Sequence, residues 1–159
     1  ESEGKKDQIL RDVKIEIAIP AYAPDSYIAS EAERMKLYND ISMISTPEDA
    51  EEKAKVLVDA YGKLPKEVEQ LIKVGLIKNL AKVCGVKKIA INEFASLIEF
   101  YDDDAKKVEK AKAVVAEQFP EIRGETAKDY RFIIEKTLSV VERQNTLIKF
   151  LLKLSKVVA

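Results

Sequence analysis

The sequence predicts an α+β domain, a small sheet with helices packed on it, in the order β-α-α-α-β-β-α-β-α. Three observations lead there. Apolar and polar residues alternate over 13–19 and the two-residue period returns after Gly85, which is the mark of half-buried strands. Between those stretches lie three runs of helical periodicity, each with its own start signal. The 159 residues are 47% apolar and 35% charged, so the chain can bury a core and is too apolar to be disordered throughout. That length makes one compact domain or two very small ones.

Residues 1–12 read as a linker. Val13, Ile15, Ile17 and Ile19 then form the first strand, which Pro20 ends because it has no N–H to give a ladder. A proline-punctuated loop leads to Ser30, which with Glu33 makes an S-x-x-E capping box in which each side chain satisfies the other's free N–H. Met35, Tyr38 and Ile41 give the inward face of this helix, flanked by Leu37 and Ile44. Thr46-Pro47-Glu48-Asp49 starts a second helix, since proline at the first helical position forfeits no hydrogen bond and the acids oppose the dipole. It runs to about Ala60, with Gly62 as its C′ residue.

Leu64-Pro65-Lys66-Glu67 starts a third helix on the same logic, with Val68, Leu71, Ile72, Leu76, Leu80 and Val83 as its stripe. Gly75 lies on that stripe and costs about 1 kcal/mol against Ala, which points to another element passing close by. Gly85 closes the helix. Strands follow over Val86 to Asn92 and Leu97 to Tyr101, joined by a turn near Asn92-Glu93. Asp102-Asp103-Asp104 caps a helix over about 104–118 with Val108, Ala111 and Val115 inward, and Phe119-Pro120 ends it. Tyr130 to Glu135 is the last strand, and a helix from about Ser139 carries Val140, Val141, Leu147, Ile148, Leu151 and Leu152. A helical half over about 30–85 thus precedes a sheet-containing half over about 86–159.

Composition excludes much chemistry. With no histidine and one cysteine, the chain cannot build a Ser/His/Asp or Cys/His nucleophile, a His/Cys zinc site or an internal disulfide. The five glycines are isolated and form no phosphate loop. Asp102 to Asp104 is the one tight acidic run, read as a helix cap because consecutive carboxylates rarely converge on one ion. Cys84 beside Gly85 is read as a buried small residue. No enzymatic constellation, cofactor site or metal site is expected in this chain. Apolar runs fall far short of the roughly 20 residues that span a bilayer. The polar start without an initiator Met is read as a piece of a longer protein, and a cytoplasmic location is expected.

The formal net charge of −1 conceals a split. Residues 1–62 hold 8 Lys+Arg and 14 Asp+Glu, whereas residues 63–159 hold 19 and 14. Two functions compete for this asymmetry. One is an acidic face that meets a basic partner. The other is a nucleic-acid-binding module on the basic half, with Lys78, Lys82, Lys87 and Lys88 on one surface and Tyr101 or Tyr130 stacking on bases.

Four motifs then carry a family likeness. Ala21-Tyr22-Ala23-Pro24-Asp25-Ser26-Tyr27-Ile28 is followed by Arg34-Met35-Lys36-Leu37-Tyr38-Asn39-Asp40-Ile41, then by Leu57-Val58-Asp59-Ala60-Tyr61-Gly62-Lys63-Leu64-Pro65, and then by Leu76 to Ala81 leading into Gly85-Val86-Lys87-Lys88-Ile89. Each motif is weak alone; four in order at this spacing are specific. Over residues 13–91 the chain resembles the C-terminal domain of the bacterial transcription-repair coupling factor (Mfd) family. The likeness implies a parent that is an ATP-driven DNA translocase, with ATP and Mg in a motor outside this chain. Such a parent displaces stalled RNA polymerase and recruits the nucleotide-excision-repair protein UvrA. It implies that this domain is a non-catalytic, autoinhibitory element docking on the UvrA-binding module of the same chain. Asp59 matches an acidic docking position of the family, with Glu51, Glu52 and Lys55 on its helix as helpers, while Val56 stands where the family can carry Glu.

Overall fold

The computed structural model describes residues 11–125, 127–135 and 137–158. Its elements are β1 (Lys14–Ile17), α1 (Glu31–Ile41), α2 (Pro47–Tyr61), α3 (Lys66–Cys84), β2 (Val86–Ile91), β3 (Ala95–Phe100), α4 (Ala105–Gln118), β4 (Ile122–Gly124), β5 (Arg131–Glu135) and α5 (Val140–Val158). The α+β class and the order of elements agree with the sequence reading, save that β4 was missed. Of the linker read over 1–12, residues 1–10 lie outside the described residues; Arg11 already pairs with Asp103 at 2.9 Å, and the Asp12 carbonyl accepts from Tyr101 Oη at 2.6 Å.

One five-stranded sheet runs β1-β2-β3-β5-β4. β1 pairs with β2 in parallel, with three helices between them in the chain, and the other pairings are antiparallel. The register aligns Ile89, Ile98 and Phe132 in one row and Ile91, Ser96, Ile134 and Ile122 in the next, all buried. Phe132 meets Phe150 of α5 at 6.4 Å between ring centroids, so α5 packs on that face. α3 packs beside it, and the Cys84 thiol donates to the Leu151 carbonyl at 3.2 Å. The other face carries polar cross-strand partners: Lys88 opposite Glu99, and Glu99 opposite Arg131.

Several inward faces differ from expectation. On α1 and the turn after it, Leu37, Ile41 and Ile44 are buried while Met35 and Tyr38 are exposed. Spacing of four and three residues keeps the first set on one stripe; Tyr38 instead turns outward, its hydroxyl accepting from the Ala23 N–H at 2.9 Å. On α3 the buried stripe continues through Ile77, Ala81 and Cys84, which leaves Val83 exposed. On α4, Val114 rather than Val115 joins Val108 and Ala111 in the core. On α5, Leu147, Phe150, Leu151 and Leu154 line the core, and Val141 is exposed.

The caps follow the same chemistry with two corrections. Ser30 accepts from the Glu33 N–H at 3.2 Å, but Glu33 does not close the box, because its carboxylate accepts from Tyr61 Oη at 3.0 Å. Pro65 sits one position before α3, at its N-cap, rather than inside it. A complete capping box does exist at α5, where Ser139 and Glu142 exchange N–H bonds at 2.9 and 3.1 Å. Asp104 caps α4 as read, while Asp103 clamps Arg11. Gly75 marks the close approach its position implied: a Cβ there would lie 2.5 Å from Ile41 Cγ2 and 2.9 Å from the Ile41 carbonyl oxygen.

Candidate docking face on the second helix

α2 is held from one side only. Leu57 is its one fully buried residue among those described, packed into the core with the half-buried Ala50 and Ala54. Polar ties complete the seating. Lys53 Nζ lies 3.0 Å from Asp40 Oδ2 on α1, and that ammonium holds the Asp40 carboxyl below its ordinary range. Tyr61 Oη donates to Glu33, and the bond to this carboxylate raises the phenol's pKa. Tyr27 Oη lies 3.2 Å from the Leu57 carbonyl and 2.8 Å from that of Gly62, which fixes the end of the helix. Asn79 of α3 donates to the Ser42 carbonyl at 2.9 Å and anchors the turn between α1 and α2.

The outward side is left open. Glu51, Ala54, Lys55, Val58 and Asp59 line one shallow trough along α2. Helical spacing of four places Glu51, Lys55 and Asp59 in a row, with Ala54 and Val58 as an apolar floor beside them. Glu51, Lys55 and Asp59 are exposed, and none of their side chains makes an ion pair or hydrogen bond among the described residues. The structure therefore brings three of the four sequence-nominated residues together. The fourth, Glu52, lines a separate groove with Met43, Asp49, Lys53 and Val56, because one residue further along the helix turns it toward the end of α1. Sequence reading missed Val58, 44% exposed, as part of the trough. The available signal was that Leu57 takes the one inward apolar position at that level of the helix, so its neighbours face out.

The basic half looks different. Lys88 pairs with Glu16 at 3.3 Å and Lys87 with Glu99 at 3.9 Å, while Lys78 and Lys82 stand on α3. The Arg11 guanidinium lies 4.3 Å from the Tyr101 ring centroid and covers one face of that ring. The cations on β2 are thus interleaved with acids rather than arrayed as a track. Cys84 is fully buried, and burial pushes its thiol pKa up to about 12, so it is no nucleophile. Among the described residues no group of three or more His, Cys, Asp or Glu could hold a metal, and no helix is long and apolar enough to cross a membrane.

Fold and face together define a small α+β domain with one outlying helix that offers a row of unpaired charges. The chain belongs to the TRCF domain family, whose model matches residues 17–111. It is 36% identical over 90 residues to the transcription-repair-coupling factor of Buchnera aphidicola subsp. Baizongia pistaciae, covering 57% of this chain and 13% of that protein. It is 27% identical over 95 residues to the factor of Escherichia coli K12, covering 60% of this chain and 8% of that protein. The chain therefore spans about a tenth of the length of these curated relatives. A crystal structure of the C-terminal domain of a transcription-repair coupling factor shares the fold at TM-score 0.75, with 17% identity, over 93% of this chain and 96% of that one.

Proposed function

We propose that this domain is a non-catalytic regulatory clamp of a transcription-repair coupling factor. It docks through α2 on the UvrA-binding module of the same longer chain and covers that module until RNA polymerase is engaged. Catalysis belongs to the parent, an ATP- and Mg-dependent DNA translocase acting in the cytoplasm. The observation that supports the docking role is the trough of Glu51, Ala54, Lys55, Val58 and Asp59, solvent-facing and unpaired in the acidic part of the chain.

The energetics fit a contact that must hold and release. A closed population of about 99% needs only ~2.7 kcal/mol of bias. A tethered partner works at roughly millimolar effective concentration, so an intrinsic Kd of about 10 μM suffices. Exposed ion pairs at roughly 0.2–1 kcal/mol each, around a small apolar centre, reach that. The test is Asp59→Arg in the whole parent protein. UvrA affinity and basal ATPase should both rise as the clamp opens; if both stay at wild-type values, Asp59 is not the docking residue.

A further inference from the structure

We propose that Lys55 reads a carboxylate on the partner, so that the surface docking on α2 presents an acid between two cations, in register with Lys55 between Glu51 and Asp59. This deepens, and rests on, the docking reading above. At about 1.5 Å rise per residue, the three charges stand roughly 6 Å apart in sequence and the outer two roughly 12 Å apart. All three line the same trough.

Glu51 and Lys55 have the four-residue spacing and the order at which a helical pair closes most readily, and Lys55 and Asp59 share that spacing. Neither pair is within ion-pair distance, whereas Lys53 of the same helix does close on Asp40 at 3.0 Å. Lys55 is thus an open donor flanked by two open acceptors. Against a partner bearing only arginines, it would lie within about 6 Å of two like charges, over an apolar floor that weakens screening once water leaves. Against a partner with a central acid, the same ammonium becomes a third pair. Lys55 then rejects plain basic surfaces as well as accepting the right one, which is how specificity against near partners is built.

The experiment compares Glu51→Arg, Asp59→Arg, Lys55→Ala and Lys55→Glu in the whole parent protein, reading UvrA affinity at about 0.1 M salt and the thermal midpoint as a folding control. All three positions are solvent-facing, so midpoints should match wild type. Each charge reversal should raise UvrA affinity by roughly threefold or more, and Lys55→Ala by less. If Asp59→Arg raises UvrA affinity while Lys55→Glu lowers it, the partner is wholly cationic; the docking reading stands and this inference falls. If Asp59→Arg acts but Lys55→Glu changes nothing, Lys55 lies outside the contact and the inference falls again. If neither acidic reversal has an effect, the docking reading itself fails.

Discussion

Replacing Gly75 with alanine tests the contact that seats the helical half. At an exposed, uncrowded helix position that change stabilises by about 1 kcal/mol, because alanine is the better helix former. At Gly75 the new Cβ would sit 2.5 Å from Ile41 Cγ2 and 2.9 Å from the Ile41 carbonyl oxygen. The methyl could be accommodated by a side-chain change, but the carbonyl belongs to the last turn of α1 and moves only with the backbone. Overpacking of this kind costs about 1–3 kcal/mol. Set against the propensity gain of about 1 kcal/mol, the expected net loss is up to about 2 kcal/mol. For a chain of this size each kcal/mol moves Tm by roughly 2–4 °C, so Tm should fall by up to roughly 8 °C. Urea unfolding should give a lower midpoint at unchanged m-value. Ile41→Leu removes the clashing Cγ2, so the double variant should lose less than the two single losses combined. A rise in stability of about 1 kcal/mol on Gly75→Ala would refute the close approach of α1 and α3.

Two further outcomes follow from buried groups. Arg143 is fully buried and donates to Ser96 Oγ and to the carbonyls of Asn92, Glu93 and Leu138, which ties the β2–β3 turn to the start of α5. Arg143→Leu leaves those four acceptors without their donor and should cost about 3–5 kcal/mol by chemical denaturation; Arg143→Lys should not restore it, since one ammonium cannot span them. Cys84 should resist a thiol reagent at pH 8 in the folded protein and react only as fast as the chain unfolds. Burial raises its thiol pKa from 9.0 to about 12, so the stability it contributes is complete below pH 9 and lost as pH rises toward 12. The measurement is Tm against pH, whose alkaline slope should flatten in Cys84→Ala.

Most elements were legible because their signals are local. Thr46 and Asp104 cap the helices they precede in the sequence, and Gly85 ends α3 at φ 78°, a left-handed conformation that glycine adopts without strain. β4 was not legible: three residues, Ile122 to Gly124, are too few to show a two-residue period, and they form a strand only because β5 offers them an edge. Helix faces were half legible. Met35 and Tyr38 share the spacing of a core stripe with Ile41, and only the position of α3 against Ile41 decides that Leu37 joins Ile41 inward while the other two face out. The row of charges on α2 was legible as charge on one helix, but not its division. Glu51 and Glu52 are adjacent in sequence, yet one lines the trough of Asp59 and the other a groove shared with Met43, a split set by where α1 ends.

The clamp is tested most directly by titrating this 159-residue chain against the separately produced UvrA-binding module, wild type beside Asp59→Arg, at several salt concentrations. Docking through α2 predicts a Kd of about 10 μM that weakens as salt rises, and a severalfold weaker Kd for the variant. No binding at millimolar concentration, or binding that neither salt nor Asp59→Arg alters, would contradict it.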